Sequence, residues 1–169
     1  HILVNNAGDS WGAPIAEFPD GAFDKLMNLN VKGIFHLTRF LLPQLQKAAT
    51  EADPARVINI GSVDGLQAPA METYAYSSSK AAVHQLTRHL AHNLASRNII
   101  VNAIAPGPFE SKMMHETLQR FGDNIRATNP RKRIGEPDDM AGTAIFLSSK
   151  ASAYITGVVI PVDGGVSTR

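Results

Sequence analysis

The sequence predicts an α/β fold, a doubly wound sheet of parallel strands. Four short apolar, β-branched runs at 1–4, 56–60, 99–104 and 158–162 are too short for helices. They read as strands buried on both faces. Long stretches of helical periodicity separate them, and this alternation means strand–helix–strand units. Each strand also runs into a small glycine-bearing turn: "NNAG" at 5–8, "GS" at 61–62, "APG" at 105–107 and "DGG" at 163–165. In an open α/β sheet that edge is where ligands bind. For any single turn, the liking of strand-to-helix connections for glycine explains the residue equally well, but the set favours a shared crevice.

The 169 residues fit one domain spanning 1–169, with 44% hydrophobic residues, 18% charged residues and a net charge of +1. No basic field argues for nucleic acid, because the run Arg131-Lys132-Arg133 sits beside Glu136, Asp138 and Asp139. The chain has no cysteine, which excludes disulfide and thiol chemistry and is compatible with a reducing cytoplasm. No apolar run approaches the roughly 20 residues of a membrane span. The six histidines are scattered without ligand spacing, so no metal is expected. His84, His89 and His92 read as helix-surface or partly buried residues.

The first helical stretch runs from about 21 to 48, with Asp20 expected as its N-cap. Phe23, Met27, Ile34, Leu37, Leu41 and Leu45 form its apolar stripe, and Asn30 falls inside that stripe. A buried amide is costly without partners, so Asn30 either caps a kink near Gly33 or is held there for chemistry. The second long helix is expected from about 76 to 97, with Val83, Leu86, Leu90 and Leu94 inward. Tyr76 and Lys80 lie within about 40° of Leu94 on the helical wheel, so the lysine shares the inward face. Tyr74 lies off that face, ahead of the helix. The segment 108–133 is looser, and Met113, Met114 and Phe121 there suit either a mobile apolar lid or an ordinary surface helix. A last helix, 137–148, opens with Pro137 and two aspartates.

A phenol is a poor acid near neutrality unless its anion is stabilised, and an ammonium one helical turn away favours that anion. Tyr76 and Lys80 therefore form a plausible acid–base unit. Ser62, at the tip of the second strand, reaches the same sheet edge, where its hydroxyl can donate to a carbonyl oxygen gaining charge. Asn30 could hold a water that passes protons to Lys80. The set suits polarising a ketone for hydride attack.

"NNAG", Asn30 in "LNVKGIF", Ser62 in "VINIGS", "YSSSK", "VNAIAPG" and "YITGVVIPVDGG" together resemble the short-chain dehydrogenase/reductase superfamily. Within it the chain is most similar to 3-oxoacyl-[acyl-carrier-protein] reductases of the rhamnolipid-type branch. The resemblance implies a Rossmann-like domain and a catalytic tetrad of Asn30, Ser62, Tyr76 and Lys80. It implies cofactor contacts from Asn6, Ala7, Gly8, Tyr76, Lys80, Pro106, Gly107 and Phe109. Ser111 stands where the family usually has a threonine at the cofactor amide. NADP(H) is favoured over NAD(H), the substrate would be a small or acyl-carrier-bound carbonyl compound, and a tetramer or dimer would form through the two long helices. No Gly-x-x-x-Gly-x-Gly turn occurs. The chain therefore corresponds to the carboxyl-terminal part of such a domain, lacking its first strands and glycine-rich loop. Two alternatives remain: a sugar, polyol or steroid dehydrogenase of the same superfamily, or an inert fragment that pairs through the edge at 1–5.

Overall fold

The computed structural model describes residues 1–168. Among them β1 (Ile2–Asn5), β2 (Ala55–Ile60), β3 (Ile99–Pro106) and β4 (Val159–Val162) form one wholly parallel sheet in the order β1-β2-β3-β4. The four apolar runs are these strands. Consecutive residues of a strand point to opposite faces, and both faces are covered. Ala55, Val57, Ile99 and Val101 meet Leu45 of α2 (Gly33–Ala48) and Ala91 and Leu94 of α3 (Tyr74–Leu94). On the other face Ile58 and Ile104 meet Leu147 of α5 (Pro137–Ser148), with Met140, Ala144, Ile160 and Val162 around them. Each fully buried Val, Leu or Ile contributes about 1.5–3 kcal/mol. The sheet is thus doubly wound, as the alternating pattern implies.

Helix boundaries depart from the expected ones in three places. Asp20 is not a cap: Pro19 holds that position, and Asp20 is the first residue of α1 (Asp20–Met27). The first helical stretch is also not one α-helix, because residues Asn28–Lys32 form a widened π turn between α1 and α2. Ala22, Leu26, Asn30, Ile34 and Thr38 face inward at a constant spacing of four, while Phe23 and Leu37 are 40% and 44% exposed. An α-helix drifts off a four-residue repeat. A turn closed by i→i+5 bonds takes up that drift, so the buried stripe differs from the one an unbroken helix would show.

Third, α3 begins at Tyr74, which is its first residue instead of lying ahead of it. The Tyr74 hydroxyl donates to Glu72 at 2.8 Å and its ring meets Phe18 edge-on. The α-helix ends at Leu94, and a 3₁₀ turn (Ala95–Arg97) leads to Asn98 with a φ of 54°. Asparagine tolerates that left-handed conformation, which redirects the chain into β3. At the other end of the chain Arg133 makes two bonds to Asp139, at 2.6 and 2.8 Å, and Asp139 accepts the Glu136 amide at the start of α5. These partners hold the Asp139 carboxyl well below the usual range.

Below the strand ends runs a buried amide–hydroxyl chain. Asn5 and Asn59 are register partners on β1 and β2, and the Asn5 Nδ2 donates to Asn59 Oδ1 at 2.8 Å and to Thr38 Oγ1 at 3.4 Å. Asn59 Nδ2 donates to Thr87 Oγ1 at 2.9 Å. The chain therefore ties α2 to α3 through two strands. Replacing one member strands its neighbours without partners. Asn59→Ala is expected to lower the unfolding free energy by about 2–3 kcal/mol at an unchanged m-value, read from urea midpoints.

Candidate active site

β2 delivers Gly61 and Ser62 to the carboxyl edge of the sheet. The Ser62 Oγ accepts the Asp64 amide at 3.2 Å and so caps the short turn Val63–Gly65. This turn lies directly on α3. A Cβ at Gly65 would come 2.6 Å from the carbonyl carbon of Lys80 and 2.7 Å from the Ala81 nitrogen. Glycine is required there by close approach of backbone to backbone.

That approach places Tyr76 and Ser62 side by side. Burial pushes the Tyr76 phenol up, the hydrogen bond from Ser62 pulls the other way, and the Asp64 charge adds to the rise. Lys80 is buried behind the tyrosine, its Nζ 5.5 Å from the ring centroid and 2.9 Å from the Ile60 carbonyl, to which it donates. Burial lowers its pKa to about 8. The net direction for the phenol is therefore upward, because burial outweighs the groups that favour its anion. Desolvation dominates both groups, raising the acid and weakening the ammonium.

Asn30 is fully buried in the π turn. Its Oδ1 accepts the Asp9 amide at 3.0 Å, and its Nδ2 donates to the Asp9 carbonyl at 3.0 Å and to Ser79 Oγ at 2.9 Å. Ser79 in turn donates to the Tyr76 carbonyl at 2.7 Å. Asn30 thus does not cap a kink. It clamps the loop after β1 and, through Ser79, the start of α3. Both of its N–H groups are taken by protein, so the side chain can meet a relay water only as an acceptor, through Oδ1.

The remaining sequence-derived positions ring this cluster. Asn6 and Ala7 are exposed. A Cβ on Gly8 would lie 3.3 Å from Asn30 Oδ1 and 3.5 Å from Lys80 Nζ, so the β1 turn passes immediately over both. Pro106 ends β3. The Gly107 amide bonds the Val162 carbonyl at 3.0 Å, and a Cβ there would strike Asp163 at 2.7 Å. Phe109 and Ser111 are tied elsewhere. The Phe109 ring covers Gly135 and borders a cavity of about 240 Å³ with Arg131 and Asp163. Ser111 is exposed and accepts the Met114 amide ahead of α4 (His115–Thr128), from which Phe121 projects to solvent.

Sequence reasoning missed Ser79, and it misread His84, which is 2% exposed and not a surface or partly buried residue. Its position four after Lys80, on the inward stripe, was the available signal.

A short-chain dehydrogenase/reductase model described as enoyl-(acyl carrier protein) reductase matches residues 1–167. The chain belongs to that family. A rhamnolipids biosynthesis 3-oxoacyl-[acyl-carrier-protein] reductase of Pseudomonas aeruginosa is 48% identical over 166 residues, which is 97% of this chain and 65% of the relative. A 2-dehydro-3-deoxy-D-gluconate 5-dehydrogenase of Dickeya dadantii is 38% identical over 173 residues, 99% of this chain and 66% of that protein. The solved Pseudomonas aeruginosa RhlG/NADP active-site complex matches with a TM-score of 0.95 at 48% identity, covering 98% of this chain and 66% of that one. A gluconate 5-dehydrogenase from Burkholderia cenocepacia J2315, solved with NADP and tartrate, matches with a TM-score of 0.92 at 31% identity, covering 99% and 65%. The short-chain dehydrogenase/reductase described here thus spans just under two thirds of its relatives' length.

Lys80 carries a testable consequence. Its folded pKa of about 8 lies below its ordinary value of 10.5, so the unfolded chain binds more protons between those values. Stability should rise with pH across that window. A Lys80→Met variant is expected to be more stable than wild type at pH 7, by at most about 3 kcal/mol, with the gap closing by pH 10.5 in paired denaturant titrations.

Proposed function

We propose that the protein is an NADPH-dependent carbonyl reductase acting on a 3-oxoacyl thioester, with Tyr76 as general acid. The observation that carries this reading is the meeting of the Ser62 and Tyr76 hydroxyls at the sheet edge with a buried Lys80 behind them. The 48% identity to a 3-oxoacyl-[acyl-carrier-protein] reductase supports the substrate class.

The residues present fit a dinucleotide. Gly8 leaves the backbone bare beside Lys80 and Asn30. Lys80 spends one of its three N–H donors on Ile60, leaving two for ribose hydroxyls. Asn6, Ala7, Pro106 and Gly107 offer main chain along the same edge, with Phe109 and Ser111 on the segment beyond. Relatives solved with NADP favour NADP(H) over NAD(H). Bound NADPH supplies the hydride.

As the substrate carbon takes the hydride, its oxygen gains negative charge. The Ser62 hydroxyl, whose oxygen is already held by the Asp64 amide, turns its proton toward that oxygen. Tyr76, kept protonated at neutral pH by burial, protonates it. Lys80, with its pKa near 8, restores the tyrosine proton. Asn30 acts by holding the Asp9 loop and, through Ser79, the main chain of Tyr76.

Relatives named for gluconate-type substrates support a second reading, a sugar or polyol dehydrogenase. The proposal includes a homo-oligomer formed through the long helices, where Phe40 of α2 is 67% exposed. It also includes a cytoplasmic location; among the described residues no helix is long and apolar enough to cross a membrane.

In the full-length protein, Tyr76→Phe is expected to lower kcat for NADPH-dependent reduction of a 3-oxoacyl thioester by roughly 10²-fold or more, with NADPH binding retained. Near-wild-type turnover would refute the assignment of Tyr76. Faster turnover of a keto-sugar than of the thioester would move the substrate to the second reading.

A further inference from the structure

His84 is a buried imidazole for which the tetrad has no use. It sits on α3 one turn after Lys80, and its ring lies beneath the turn that carries Ser62. Its Nε2 accepts the Ser62 amide at 3.5 Å. The same ring accounts for the glycines on either side of that turn. A Cβ on Gly61 would collide with Nε2 and would sit 2.7 Å from Cδ2, and a Cβ on Gly65 would sit 2.8 Å from Cε1. The sequence "GSVDG" at 61–65 is therefore shaped around the histidine.

We propose that His84 is a positioning residue for Ser62: its imidazole accepts the Ser62 amide and so fixes the direction in which the Ser62 hydroxyl points. The inference rests on the role assigned to Ser62 in the reaction. A leucine or methionine could fill the same space, so packing alone does not call for histidine. What the imidazole adds is an acceptor. Among the described residues no other hydrogen bond takes up the Ser62 amide, and a buried N–H without a partner is costly. With the amide held, the extended backbone of Ser62 presents Oγ to the Asp64 amide on one side and to Tyr76 on the other.

The role requires a neutral ring, because a proton on Nε2 would set donor against donor. Burial does most to keep it neutral, and the positive charges of Arg88 and Lys80 on the same helix add to this, holding the pKa at about 4. The Gly65 main chain acts the other way and favours a proton on the ring. Nδ1, which carries the proton in the neutral tautomer, is buried without a hydrogen bond of good geometry. The imidazole is thus held mainly by the fit of its ring and by the Ser62 contact.

The test is a double-mutant cycle in the full-length protein, read as kcat and KM for NADPH-dependent reduction of a 3-oxoacyl thioester. His84→Leu is expected to lower kcat roughly tenfold, less than the loss of an oxyanion donor outright, with KM for NADPH within about twofold of wild type. His84→Gln, whose amide oxygen can accept, is expected to recover most of that loss. In a Ser62→Ala background His84→Leu should cause no further loss, because the group it positions is gone. An equal loss in that background, or wild-type kcat in His84→Leu beside a crippled Ser62→Ala, overturns the proposal alone. Wild-type kcat in Ser62→Ala overturns the reading of the site on which it rests. If His84→Leu fails to fold, His84→Met enters the cycle in its place with the same expected outcomes.

Discussion

The site depends on how closely α3 approaches the turn after β2. At Gly65 the two backbones leave no room for a methyl group, and at Gly61 the space is filled by a side chain from the helix itself. Any larger residue at either position would lift the helix from the strand end. Interiors are close-packed, so the displacement would not be absorbed locally. Tyr76 and Lys80 ride on that helix and Ser62 on that turn. Their proximity is therefore set by two missing side chains.

A second tie comes from the opposite side of the crevice. The π turn sets Asn30 into the inward face of the α1–α2 stretch, where an amide is tolerable only if its groups are bonded. The partners are Asp9, on the loop leaving β1, and Ser79, between Tyr76 and Lys80 in the sequence. One side chain thus links three segments at the strand ends. Beneath it the Asn5–Asn59–Thr87 chain repeats the linkage across the sheet. Wide helical turns are often found at functional sites, and here the turn has a plain geometric effect: it brings an amide into register with a helix across the crevice.

The sheet was legible because buried parallel strands write themselves as short apolar runs, and the helix carrying Tyr76 and Lys80 because a charged residue on an inward stripe is conspicuous. The first helical stretch was not legible in the same way. Asn30, Ile34 and Leu45 were read correctly as inward, but Ala22 and Thr38 of the true face were not, and Phe23 and Leu37 are 40% and 44% exposed. A wheel built on 100° per residue has no place for a π turn. His84 was misread because its burial depends on Gly61 and Gly65, residues about 20 positions away whose lack of a side chain creates the seat. Local pattern identifies which residue faces inward. It does not identify the space that receives it.

The charges at the crevice have a direction. Tyr76 is pushed above its ordinary value of 10.0, while Lys80 is brought down to about 8. Such a phenol is protonated near neutrality but is a weaker acid than free tyrosine, so in the proposed reaction it is the developing alkoxide, a far stronger base, that draws the proton. Once that proton is given up, the tyrosinate is a stronger base than the amine of Lys80. Return of a proton from the lysine is then downhill whatever path it takes. A lysine left in water, near its ordinary value of 10.5, would give a smaller drive. Burial of the ammonium therefore costs stability in full below about pH 8, a cost that fades by pH 10.5, and in the proposed reaction it favours return of a proton to Tyr76.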